Sequence, residues 1–343
     1  MKTKALKITI AVLVGIVLGV AILLALIKVG ERIVFARFYF NAETEFKVPG
    51  LADGLVQQGF DYYEGDPDTD DDDRFLVSGY MKNDEKSSRI YVLNKDGKVV
   101  HHAELKNMDG GHNKTHAGGI AIYGDYVYVA NDLEKYGFVG LQVFSLDDII
   151  NKDTANCIGE IKLGINPATC YVDKEKSILY VANFHYEKSD YVSPEEHKLQ
   201  TPCGDNNTAI MLAYELGAGA DFGFKDYQPD KAYSITSKVQ GLTFTDSGKI
   251  VLSTSYSISK SHLLMYDFEK AEQGKETTKL FGGEIPLYHL DSSCLVKDLK
   301  APPMAEELVF LDGRIYIMNE SASNKYIFGR LLSGTYVHSY KAD

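Results

Sequence analysis

The sequence predicts an all-β chain, a β-propeller behind one apolar helix, and three observations carry that reading. Past the first 42 residues no stretch keeps a 3.6-residue apolar period for long. Short β-branched and aromatic runs recur instead, bounded by Gly, Asp and Asn. Four of these runs are hairpins in one register, each followed by further strand-like segments, which is how propeller blades repeat along a chain.

The apolar helix comes first. Ile8 to Ile27 is 20 residues without a charge, the length that crosses a hydrocarbon core of ~30 Å as helix. A cleaved signal peptide would have a shorter apolar core and a small-x-small cleavage site, so the segment reads as a retained signal-anchor. Lys2, Lys4 and Lys7 precede it, and Lys28, Arg32 and Arg37 follow. With the basic flanks nearly balanced, the acidic remainder favours an amino terminus inside and a C-terminal domain that is extracytoplasmic at the cell membrane. The expected division is a short basic N-terminus over 1–7, a transmembrane helix over 8–28, a linker over 29–42 and the propeller over 43–343.

Residues 43–343 carry 30 Lys and Arg against 47 Asp and Glu, a net charge of −17. Such a surface disfavours nucleic acid and anionic lipid as partners and leaves cations, proteins, glycans and small molecules. The four cysteines, Cys157, Cys170, Cys203 and Cys294, form no C-x-x-C pair and give no support to a zinc site. A disulfide between Cys203 and Cys294 would need an oxidising compartment, and buried free thiols are the competing expectation.

The hairpins are GGIAI-YGD-YVYVAN, CYV-DKEKS-ILYVAN, GLTF-TDSG-KIVLST and ELVF-LDG-RIYIMN. Their turns hold Gly or Asp, the residues that tolerate positive φ or bond back to the chain. From Ile120 to Asn131, Val172 to Asn183, Leu242 to Ser253 and Leu308 to Asn319, an apolar residue is followed eleven positions later by Asn or Ser. A first blade with an acidic insertion precedes them, which makes five four-stranded blades. EIPLYHL is expected as the outer strand of the fourth blade, and KYIFGRLL as a strand of the fifth. The N-terminal TEFKVPG should complete the last blade and close the ring, with TYVHSY competing for that place.

The strands YVYVAN (Tyr126–Asn131) and ILYVAN (Ile178–Asn183) resemble the YVTN-type repeat of bacterial extracytoplasmic propellers, a group similar in shape to quinoprotein and lactonase-like propellers. The resemblance implies a fold and no activity, and five blades depart from the seven usual in that family. Lactonase-like propellers hold a channel metal with Glu and Asn, which makes a comparable arrangement an alternative here.

In propeller topology the loops between blades and those between second and third strands share one face, called the top. Ligand-binding candidates at its mouth are His116, Asn131, Asn183, Gln240, Tyr256, Glu307 and Asn319. Asn131, Asn183, Glu307 and Asn319 are the candidate metal set, with oxygen donors suited to Ca²⁺. His112, Asp132, His185, Ser255, Glu306 and Glu320 are expected on the same face. Strand alternation says that Glu306 and Glu307 do not both point inward. Asn and Ser at strand ends equally well serve only the turn backbone. The acidic run Asp66–Asp73 lacks the Gly and Glu of an EF-hand loop and reads as a solvated insertion on the opposite, bottom face. Closure by TEFKVPG places the tether at the bottom, with the top directed away from the bilayer.

No Ser-His-Asp order, nucleophile elbow, Walker loop or dinucleotide fingerprint appears. The leading functional expectation is a displayed binding or interaction module. The alternative is a metal-dependent hydrolase of a small ester, lactone or phosphate.

Overall fold

A computed structural model describes residues 2–65, 72–83 and 85–342. Most of the acidic run, Asp66 to Asp71, lies outside the described residues. The chain is a β-propeller preceded by a long apolar helix. Its strands pair into antiparallel groups of four, running inner to outer: Leu55–Tyr63 to Val99–Lys106, Ile120–Tyr123 to Thr154–Ile161, Pro167–Asp173 to Lys231–Ile235, and Val239–Phe244 to Leu295–Ala301. The last group is Ala305–Leu311, Arg314–Asn319 and Tyr336–Lys341, with the N-terminal Ala42–Lys47 outermost. The inner strands pack in sequence order, and the last packs on the first.

The turns obey local chemistry. Asp312 and Gly313, at φ of 51° and 73°, form the two-residue turn of the Leu311 to Arg314 hairpin, in the left-handed conformation that D-G sequences accept. The core is distributed between the groups rather than gathered at one centre. Leu76, Ile90 and Val92 of the first pack on Ile120, Val127 and Val129 of the second. Val309, Met318 and Val337 of the last pack on Leu55, Phe60 and Phe75 of the first. Each sheet is thus covered on both faces, which is why strands such as Tyr126–Asn131 read as continuous apolar runs.

Three features differ from expectation. KYIFGRLL is not a strand: Ile327–Ser333 is helical, and Tyr336–Lys341 is the third strand, inside the N-terminal one. EIPLYHL is not the outer strand of the fourth group. Ile285–His289 runs parallel to Lys231–Ile235 at the edge of the third, and Leu295–Ala301 takes the expected place. The short apolar run of Ile285–His289 fits either edge, so local pattern does not choose between them. All four cysteines are free, and Cys203 lies beside Ser292 Oγ at 3.4 Å while Cys294 is buried with its thiol toward the Asp291 carbonyl.

The third difference concerns the apolar helix. Helix α1 runs unbroken over Lys2–Val34, and α2 covers Ala36–Tyr39, so most of the expected 29–42 linker is helical. Phe35 and Phe38 are buried with Leu263, Leu299 and Tyr340, wedged over the junction of the fourth and last groups. Further back along α1, the helix packs on Ile327–Ser333, and the Lys28 ammonium lies 4.0 Å from where a Gly334 side chain would begin. That helix follows the second strand of its group and belongs to the top face. The apolar part of α1, exposed along its length, therefore extends from the top side rather than the bottom. The expectation of a bottom tether considered only the N-terminal strand, whereas α1 packs on Ile327–Ser333.

Candidate functional site

Four of the five inner strands begin with an irregular register: between Gln57 and Phe60, Pro167 and Thr169, Val239 and Gly241, and Ala305 and Leu308. Each is a bulge, in which extra residues oppose fewer on the neighbouring strand. A bulge breaks strict alternation. Gln58, Ala168, Gln240 and Glu306 thereby turn toward the top end of the central channel, joined by Gly118 and Gly119 of the remaining strand. Glu307, next to Glu306, still points into the channel below. Both glutamates are buried and face inward, contrary to the expectation from alternation.

Glu307 closes the channel. Its Oε2 accepts from Thr169 Oγ1, and its Oε1 accepts from the backbone of Leu242 at 2.9 Å and Leu308 at 3.4 Å. The glycines at the equivalent repeat position leave space for it. A Cβ on Gly119 would stand 2.3 Å from Glu307 Oε2, and one on Gly241 2.7 Å from Oε1. Burial raises the Glu307 carboxyl well above the usual range, against the lowering effect of its three donors.

Above this plug lies a cavity of about 350 Å³. Its wall combines the bulged residues with the ends of the second strands and the loops that follow. Carboxyl groups come from Asp132, Glu306 and Glu320, and rings from Tyr80, Tyr136, Phe184, Tyr191, Tyr256 and Tyr326. His116 stacks 5.0 Å from Tyr80 and lies 4.3 Å from Tyr136, with Nδ1 3.6 Å from Asp132 Oδ1. Tyr326 and Tyr80 donate to Glu320 Oε1 at 2.9 and 3.4 Å. Lys325 donates to the Tyr80 hydroxyl and lies 4.6 Å over its ring and 5.3 Å over that of Tyr326. Gln240 Nε2 donates to Glu306 Oε1 at 3.2 Å.

Desolvation raises the Glu306 carboxyl well above its ordinary value, and the charges of Glu320 and Glu307 add to this. Glu320 is raised chiefly by burial, with Lys325 and His116 opposing. Two buried oxygens at the wall accept no hydrogen bond from the protein, Asp132 Oδ1, which has His116 Nδ1 3.6 Å away, and Ser255 Oγ.

The wall contains three of the sequence candidates, His116, Gln240 and Tyr256. The strand-end asparagines do not reach it. Asn183 accepts from Ile210 N at 2.7 Å and donates to Ser193 at 2.8 Å, and Asn319 donates to Pro303 O at 2.9 Å. Asn131 donates to Gln142 Oε1 at 3.2 Å. Of the expected metal set, Asn131, Asn183 and Asn319 thus stand off the cavity wall, with Asn131 Oδ1 buried and without a hydrogen bond, and Glu307 lies in the channel below. The next residue along reaches the cavity instead: Asp132, Phe184 and Glu320. His185 accepts from Ser193 N at 2.9 Å, and His112 pairs with Ser87 at 2.7 Å, both away from the wall. Sequence reasoning missed Gln58, Tyr80, Lys325 and Tyr326. Gln58 was legible as the residue before a glycine aligned with Gly241, whereas Lys325 and Tyr326 needed the helical turn that replaced a supposed strand.

No family model and no curated protein matches the chain. Among solved structures it is similar to the glutaminyl cyclase of Myxococcus xanthus, at 12% identity over 88% of this chain and 97% of that one, with a TM-score of 0.44. It is also similar to the PQQ-bound aldose sugar dehydrogenase of Streptomyces coelicolor, at 13% identity over 88% and 97%, with a TM-score of 0.45. The laminin–nidogen complex gives 11% identity over 78% and 73%, with a TM-score of 0.38. Nothing of their chemistry is carried to this chain.

Proposed function

We propose that this chain is a membrane-anchored binding module whose extracytoplasmic propeller takes a small polar ligand in the top cavity. The observation that supports it is the cavity itself, about 350 Å³ with Glu307 filling the channel beneath it. Rings give such a site contact area, and a few convergent polar groups give it orientation. The exposed apolar length of α1 supports the anchor. A metal-dependent hydrolase at this place would draw its ligands from the wall carboxyls, because the asparagines expected from sequence do not line the cavity.

The chain has no tryptophan. Tyr256→Trp therefore places a single indole on the cavity wall. Titration with amines, sugars, amino acids and lactones should give a saturable change of its fluorescence with at least one class. Indifference to all of them, in a variant that melts like the wild type, would overturn the binding reading.

A further inference from the structure

The wall of the cavity is short of positive charge. Among the described residues, Glu306 has no ion-pair partner, and its side-chain oxygen meets only the Gln240 amide. Asp132 Oδ1 accepts no hydrogen bond, and its nearest basic group is the His116 ring at 3.6 Å. The cation at the wall, Lys325, is already held by Tyr80 and lies over the Tyr80 and Tyr326 rings. A buried carboxylate without a counter-charge is costly, and the protein relieves the cost by keeping a proton or by admitting a cation. Ser255, 3% exposed, adds a hydroxyl in the wall that no protein group meets.

The rings favour one kind of cation. Tyrosine faces attract an alkylated ammonium through their quadrupole, and the attraction grows when water is excluded. Lys325 over two tyrosine rings shows the same wall already holding a lysine ammonium. A hydrated metal ion would leave the aromatic surface unused.

We propose that the cavity binds a small organic ammonium group, its charge set against Glu306 and Asp132 and its alkyl surface against Tyr80, Tyr136 and Tyr256. This rests on the binding reading above. The cavity opens on the side from which α1 departs, so a lipid headgroup and a free amine both have access to it.

The test uses the full chain carrying Tyr256→Trp in nanodiscs of phosphatidylglycerol, titrated with choline, ethanolamine and tetramethylammonium. The neutral carbon analogue of choline, 3,3-dimethylbutanol, and glucose are run beside them. The cations should saturate, with the neutral analogue at least about tenfold weaker. Glu306→Gln and Tyr136→Ala should each weaken choline about tenfold. Lys325→Met should tighten it, a gain that a merely structural role would not produce. If the source is lipid, nanodiscs of phosphatidylcholine or phosphatidylethanolamine will mask the choline response, and if it is free amine the response persists; either supports the proposal. Glucose or dimethylbutanol binding as well as choline would overturn the ammonium class and leave the binding module standing. Silence from every cation would overturn the ammonium class, and the binding reading falls only if the amino acids and lactones are silent too.

Discussion

Glu306 and Glu307 are neighbours in sequence, both buried and both raised in pKa by burial, yet they belong to different regions of the molecule. Glu307 lies in the channel, where Thr169, Leu242 and Leu308 meet its oxygens and two glycines clear its path. Glu306 lies on the cavity wall with one amide for company and open volume before it. The channel is a closed hydrogen-bonded plug that holds inner strands together. The cavity leaves Asp132 Oδ1 and Ser255 Oγ without a hydrogen bond and Glu306 with one amide, and under-satisfied polar groups beside a void are what a ligand answers.

That contrast breaks if the channel tolerates change. The largest effect is expected of Gly241→Ala, whose Cβ would stand 2.5 Å from Glu307 Cα and 2.7 Å from the Glu306 carbonyl. Backbone cannot give way cheaply there, so denaturant unfolding should lose more than about 3 kcal/mol. A loss below about 1 kcal/mol would mean that the inner strands are not locked as described.

The next effect depends on pH. Asp61, also on an inner strand, accepts from the backbone of Tyr62 and Ile122 at 2.7 and 2.9 Å, and burial outweighs these bonds and Lys174 to raise its carboxyl to about 6. The folded chain holds this proton more tightly than the unfolded one. The associated stability is complete below about pH 4 and is lost as pH rises through 6, amounting to about 2 to 3 kcal/mol. Comparing wild type with Asp61→Asn across pH 4 to 7, the variant should decline less steeply. Parallel curves would show that Asp61 is solvated in the folded protein.

Asn183→Ala separates a strand-end amide from the wall. It leaves Ile210 N without its acceptor and should cost about 1 to 2 kcal/mol, while the Tyr256→Trp titration keeps its midpoint. A shifted midpoint would return the asparagines to the site. The smallest effect is that of Glu306→Gln on stability. An amide preserves the oxygen that Gln240 meets and removes a carboxyl that ionises at a cost, so melting at pH 8 should rise slightly, by no more than about 1 kcal/mol. A marked loss would place Glu306 with the plug.

Much of the propeller was legible because its hairpins carry their own instructions. Turn glycines and aspartates with alternating β-branched residues set the Leu311 to Arg314 and Tyr123 to Tyr126 turns by local sterics. The outer edges were less legible. EIPLYHL and KYIFGRLL have strand-like composition, and their fates were decided by which neighbouring surface needed cover. The candidate site was partly legible: His116, Gln240 and Tyr256 followed from topology, whereas Asn131, Asn183 and Asn319 were one residue short of the wall.

By itself the sequence determined the apolar helix, the hairpin repeat and the use of an N-terminal strand to complete the last sheet, because length, period and turn chemistry act over a few residues. Tertiary structure alone decided which side of Glu306 and Glu307 faces the cavity and on which side α1 leaves. A bulge reverses side-chain direction without a composition signal of its own, and the course of α1 depends on Phe35 and Phe38 finding a crevice between sheets distant in sequence.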